Sequence, residues 1–224
     1  MTAVVTAVDV TRGYPTRHGR IRAVDRVSVT VAPGEILGIS GPSGSGKSTL
    51  LRLLAGIERP DSGTVHYAGQ PAWRRSRAAG YPRPGYVMPI FQDPHASLDP
   101  RWPIWRSLTE PLTAPGRPRT DGAGLRAVAA EWLERARLGH LDPTARPGQL
   151  SGGQCQRIAI VRALVAGPAL VVADEPTARQ DVITAAAITE LLAEAAGHGT
   201  ALVVVSHDTV WLDTLAHRTH RMDP

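Results

Sequence analysis

Gly41-Pro42-Ser43-Gly44-Ser45-Gly46-Lys47-Ser48-Thr49 matches in full the phosphate-cradling pattern G-x-x-x-x-G-K-[S/T]. The run before it, Glu35 to Ser40, reads as a short buried strand, and Ser48 to Ala55 reads as an apolar helix. Strand, glycine loop and helix follow in the order the pattern requires. The glycines let successive backbone N–H groups turn onto phosphate oxygens, and the helix N-terminus adds partial positive charge. Lys47 would then reach the β and γ phosphates, while Ser48 would offer its hydroxyl to Mg²⁺. Lys47 is also the chain's only lysine, and, histidines apart, all its other basic side chains are arginine. A compact, rotatable ammonium suits this position where a planar guanidinium does not. A glycine-rich turn that binds nothing is the bland alternative, and the surrounding order argues against it.

Downstream, Leu150-Ser151-Gly152-Gly153-Gln154 precedes a helical run from Ile158 to Val165. A serine and two glycines at a helix start make a second anion-binding corner of bare amides and a hydroxyl. Ala169 to Glu175 is an apolar strand ending in the carboxylates Asp174 and Glu175. One acid can hold Mg²⁺ through its water shell, and the next can polarise an attacking water. Thr200 to His207 reads as another buried strand with a histidine at its carboxyl end, where open parallel sheets place their ligands.

This order of motifs resembles the ABC ATPase family over essentially the whole chain. The resemblance implies an α/β P-loop NTPase core with an N-terminal antiparallel β region and an inserted α-helical subdomain. Residues 1–92 and 151–224 would form the ATP-binding core, and 93–150 the subdomain that meets a transmembrane partner. It further implies that Gly41 to Thr49 form the Walker A loop, with Asp174 as the Walker B aspartate and Glu175 as the catalytic glutamate. Gln92 matches the Q-loop glutamine that touches Mg²⁺ and the attacking water, so Ser48, Gln92 and Asp174 would hold the metal. His207 matches the switch histidine at the γ-phosphate, and Lys47 joins Glu175, Gln92 and His207 in the catalytic set. Ser151, Gly152, Gly153 and Gln154 match the signature that closes over a partner subunit's nucleotide, and Tyr14 looks like the aromatic that stacks on adenine. Alone, such a histidine or glutamine is as readily a structural residue, and their order relative to the Walker motifs favours the site reading; Tyr14, near an N-terminal strand, is as readily a residue packed on the core. After Thr177 the family usually has Ser-Ala-Leu-Asp, whereas this chain has Ala178-Arg179-Gln180-Asp181. Asp181 is kept among the nucleotide-facing residues, and the loss of the serine and leucine points to altered signalling across the interface.

Composition is compatible with this. At 224 residues and 23.9 kDa the chain can bury the core of one domain of two lobes. No run of eighteen apolar residues spans a membrane, and the start lacks a signal-peptide pattern. The expected location is cytoplasmic, peripheral on the inner face of the cell membrane. One cysteine excludes an internal disulfide and a cysteine-built metal site. That residue, Cys155, lies in the first turn after the signature, where it is either an exposed thiol of lowered pKa or a small buried filler. The net charge of +5 comes from scattered arginines, with a local cluster at Arg74, Arg75, Arg77 and Arg83 that reads as a solvated loop or a face for acidic groups, not a nucleic-acid surface.

Strands are expected around 3–10, 24–32, 64–68 and 86–91, with a Pro/Arg-rich loop at 71–84. A helix is expected from Leu125 to Leu138, its apolar face carrying Leu125, Val128, Ala129, Trp132, Leu133 and Ala136. Phe91 to Pro100, then Arg101-Trp102-Pro103-Ile104, with Thr109 to Leu112, is similar to the oligopeptide, dipeptide and nickel importer ATPases. That branch implies separate permease subunits, a second ATPase as hetero- or homodimer partner, and an extracytoplasmic solute-binding protein acting indirectly. The chain stops at Pro224 without the C-terminal extension of the longer members, leaving the solute open. A non-transport ATPase of an enzyme complex, such as carbon–phosphorus lyase, and an ATP-binding regulatory partner are the alternatives.

Overall fold

The structure is a computed structural model that describes residues 2–17, 19–73, 82–178 and 180–223. In chain order its elements are β1 (Val5–Thr16), β2 (Gly19–Val31), β3 (Ile36–Ser40), α1 (Lys47–Leu54), β4 (Ser62–Tyr67), β5 (Gln70–Pro71) and β6 (Val87–Ile90). There follow α2 (Pro94–Ser97), α3 (Ile104–Thr109), α4 (Gly122–Arg135), α5 (Gly152–Leu164), β7 (Leu170–Asp174), α6 (Val182–Gly197), β8 (Ala201–Val205), α7 (Thr209–Leu215) and β9 (Arg218–Arg221).

The strands form two sheets. An antiparallel sheet has the order β2-β1-β4-β5, and a parallel sheet the order β6-β7-β8-β3-β9. The short apolar runs become the parallel strands because both faces of that sheet are covered. Side-chain alternation assigns each residue to a face. Leu170, Val172, Val203 and Val205 join Leu37, Ile39 and the α1 leucines in a core shared with the antiparallel sheet. Val171, Ala173, Leu202 and Val204 face the opposite way, into a core built with α3, α4, α5 and α6. The helices between β6 and α5 therefore share one continuous core with the sheet.

Several boundaries differ from the sequence expectations. The first hairpin is longer: β1 runs past Val10 to Thr16, and β2 begins at Gly19. Its regular alternation is interrupted by register shifts around Asp9, which takes a left-handed φ of 50° and accepts from Ser28 Oγ at 3.1 Å. A bulge of this kind moves side chains to the other face, and the apolar pattern stops there although the strand does not. The α4 helix starts at Gly122, capped by Asp121, and buries Leu125, Ala129 and Leu133 as expected. Of the 71–84 stretch, Pro71 pairs in β5, while 74–81, and with them Arg74, Arg75 and Arg77, lie outside the described residues. The polar strand β9 and the helices α3 and α6 lie outside the sequence expectations.

Candidate functional site

Parallel pairing sets Ile39 beside Val205, and Asp174 beside Val205 as well, so β3, β7 and β8 end at one level. The loops leaving those ends, with the segment after β6, surround a cavity of about 360 Å³. Its walls carry Ser43, Gly44, Gly46, Lys47, Ser48 and Thr49 from the glycine loop, together with Tyr14, Ala23, Gln92, Asp174, Glu175, Val205 and His207. Residues separated by up to 193 positions in the chain are thus gathered around one cavity.

The glycine loop has a steric reason for its composition. Gly46 has φ 90°, and a Cβ there would lie 1.8 Å from the Ala23 carbonyl oxygen of β2. No other residue fits between the loop and that strand. Lys47 opens α1 almost fully buried, its ammonium donating to the carbonyls of Gly41 (2.8 Å) and Pro42 (2.7 Å). Ser45 turns away into a separate hollow beside Arg22, His220 and Met222, and its buried hydroxyl has no hydrogen-bond partner among the described residues.

Glu175 is 8% exposed and takes φ 52°, a left-handed conformation costly for a residue with a side chain. Its N–H donates to Val205 O at 3.0 Å, tying it to the end of β8. Ser206 Oγ donates to Oε2 at 3.4 Å, and His207 Nε2 stands 3.2 Å from Oε1, close enough for charge attraction but off the angle of a hydrogen bond. Burial pushes the carboxyl above the ordinary range, His207 pulls it back, and Asp174 adds to the rise. Glu175 lines the cavity, and its carboxylate, whose Oε1 has no hydrogen-bond partner among the described residues, is suited to accept a proton there. Ser206 lies within the strand run ending at His207, yet only the paired strands reveal it as the group that orients Glu175.

Ser151 to Gln154 lie elsewhere. Ser151 caps α5: its hydroxyl accepts from Gln154 N at 3.2 Å, and its own N–H donates to Gln154 Oε1 at 2.8 Å. Ser151, Gly152 and Gly153 border a second hollow, of about 670 Å³, with Ala178, Gln180, Asp181 and Thr184; Gln92 borders both hollows. Gln180 Oε1 stands 2.8 Å from where a Cβ on residue 153 would sit, so the glutamine of the divergent Ala178–Asp181 stretch lies directly against the signature glycine. Asp181 caps α6, accepting from Thr184 N and Oγ1 at 2.9 Å each, and does not line the first cavity. Arg179 lies outside the described residues.

The exposed reading of Cys155 is corrected. The thiol is fully buried, donates toward Pro147 O at 3.5 Å, and is pushed up to about 11 by desolvation. The segment leading into α5 covers it, which the spacing along the helix alone could not show. Maleimide at neutral pH is expected to leave the native chain unlabelled and to react after denaturation, as mass spectrometry would read; labelling of the folded chain would contradict this burial.

Ser48, Gln92 and Asp174, which offer hard oxygen donors, line the same cavity. Among the described residues no three His, Cys, Asp or Glu side chains cluster as a metal site. The set fits Mg²⁺, which takes one or two carboxylates and completes its shell with substrate phosphates and water.

A parallel sheet with a phosphate loop, two terminal carboxylates and a separate serine-glycine corner defines a P-loop nucleotide-hydrolysing cassette. The family model described as ABC transporter matches residues 24–178. The chain is similar to the lipoprotein-releasing system ATP-binding protein LolD of Geobacter metallireducens, 37% identical over 93% of this chain and 91% of that one. It is 34% identical to the nickel import ATP-binding protein NikE of Rhodospirillum rubrum, over 100% of this chain and 82% of the other. Among solved structures, the dimeric post-hydrolysis state of the ATP-binding cassette MJ0796 bound to ADP and Pi superposes with a TM-score of 0.85 at 30% identity, covering 97% and 94% of the two chains. The chain belongs to the ABC transporter family and is its ATP-binding, ATP-hydrolysing subunit. No helix among the described residues is long and apolar enough to cross a membrane.

Proposed function

We propose that this chain powers import of a peptide, nickel or a related small solute through separate membrane permeases, binding peripherally at the inner face of the membrane and pairing with a second ABC ATPase. The observation that carries the ATPase chemistry is the gathering of Lys47, Gln92, Asp174, Glu175 and His207 around one cavity, while Ser151 to Gly153 border a second hollow. In this reading the glycine-loop amides and Lys47 bind the β and γ phosphates, and Tyr14 stacks on adenine. Mg²⁺, held by Ser48, Gln92 and Asp174, supplies neutralisation of phosphate charge. Glu175 accepts a proton from the attacking water, and His207 holds the γ-phosphate in line. Ser151 to Gln154, with Asp181, close over the partner subunit's nucleotide. Residues 93–150 serve as the helical subdomain that meets the permease.

The importer branch is supported by the Phe91 to Pro100 stretch and by the NikE relative. A lipoprotein-releasing role is the second reading, supported by the LolD relative. Cells lacking this chain, complemented with wild type or Glu175→Gln, separate the two. Import predicts loss of labelled nickel or oligopeptide uptake in the mutant background with lipoprotein release intact. Normal uptake with retained lipoproteins would overturn the importer reading.

A further inference from the structure

Tyr14 is held by a charge network that begins at the end of the phosphate-loop helix. Its hydroxyl donates to Glu58 Oε2 at 2.6 Å, and Arg12 lies over one face of its ring with the guanidinium carbon 5.2 Å from the centroid. Arg12 also pairs with Glu58 Oε2 at 3.3 Å and Asp61 Oδ1 at 3.1 Å. Asp61 accepts from Gly13 N at 2.8 Å and from Arg20. Its carboxyl is held below the ordinary range, first by that backbone N–H and then by the arginines.

Glu58 leaves the turn that closes α1, with its N–H on Arg52 O at 3.2 Å and its Oε1 3.6 Å from Arg52 Nη1. A helix of eight residues thus presents Lys47 at its start and, just beyond its end, the carboxylate that grips Tyr14. A short hydroxyl-to-carboxylate bond is charge-assisted and restricts the ring more than a neutral partner would. With Arg12 over one face, only the other face is open for stacking.

We propose that Glu58 is a positioning residue for the nucleobase, fixing the Tyr14 ring in the cavity lining before ATP arrives. It deepens, and rests on, the reading of Tyr14 as the base-stacking side chain. Binding of nucleotides that carry a base then depends on this carboxylate, while binding of the triphosphate alone does not.

Isothermal titration of the full chain with MgATP and with magnesium tripolyphosphate, which has no base, tests this. Glu58→Ala is expected to weaken ATP binding about three- to tenfold, a fraction of the stacking contribution, and to leave tripolyphosphate binding unchanged. Tyr14→Phe, which keeps the ring but loses the hydroxyl, should show the same loss, and the double variant should be no worse than either alone. Glu58→Gln keeps an acceptor oxygen but loses the charge, and its ATP affinity should fall between those of wild type and Glu58→Ala. Equal weakening toward ATP and tripolyphosphate would assign Glu58 to general support of the phosphate loop and overturn the proposal. So would an ATP affinity unchanged in Glu58→Ala while Tyr14→Ala loses it. If Tyr14→Ala itself binds ATP as wild type does, the stacking reading of Tyr14 fails first, and the role of Glu58 with it.

Discussion

Glu175→Gln is expected to slow ATP hydrolysis by about 10²–10⁴-fold while leaving ATP binding intact, as loss of a positioned general base does. The substitution keeps side-chain volume and the bond from Ser206, so the strained backbone at φ 52° need not move. What disappears is the capacity to take a proton from water in a pocket where burial already raises the carboxyl's basicity. With hydrolysis blocked, an ATP-bound dimer has no route to dissociation by turnover, so sedimentation in MgATP with the partner subunit present should show the variant as a dimer and the wild type returning to monomer. Phosphate release at the wild-type rate by Glu175→Gln, measured with the partner subunit present, would remove Glu175 from the chemistry and favour a regulatory subunit.

Lys47→Ala is expected to abolish ATP-dependent stabilisation. For wild type at a hundred times the dissociation constant, ligand linkage contributes about 2.7 kcal/mol. In a domain of this size that corresponds to roughly 5–10 °C in melting temperature. Without nucleotide the ammonium is spent on two loop carbonyls, Gly41 O and Pro42 O, which can turn to water when it is removed. The variant's own melting temperature should therefore change little. Differential scanning fluorimetry with and without MgATP reads both quantities, and a full ATP shift in Lys47→Ala would sink the phosphate assignment.

The parallel sheet and the glycine loop were legible in the sequence because a strand buried on both faces must be an unbroken apolar run, as in Leu170 to Ala173 and Ala201 to Val205. β9 was hidden by the opposite circumstance. Arg218-Thr219-His220-Arg221 is a polar edge strand whose place comes from pairing with Leu37 to Ser40, 181 positions earlier in the chain. α6 carries alanine and isoleucine around much of its circumference and leaves no clean stripe, while the exposed Val182 and Ile183 at its start blur the pattern further. At the site, motif order named Lys47, Gln92, Asp174, Glu175 and His207, which line one cavity, but it could not show which neighbours hold them. Ala23 meets Gly46 through a backbone oxygen, Ser206 meets Glu175 across adjacent strand ends, and Glu58 meets Tyr14 from 44 residues away. These contacts depend on register and turn geometry, to which residue type at a given spacing is blind.

The solitary lysine has a practical corollary. Within these 224 residues a lysine-specific protease has one peptide bond to attack, between Lys47 and Ser48, and would yield only the pieces 1–47 and 48–224. That bond lies at the first turn of α1, its lysine 6% exposed and its ammonium held by loop carbonyls. A protease must draw an extended segment of several residues into its cleft, so the scissile bond is offered only when the glycine loop opens and the helix start unwinds. The rate of this single cut is therefore a built-in clock for exposure of the phosphate loop, whether the loop opens locally or the whole domain unfolds.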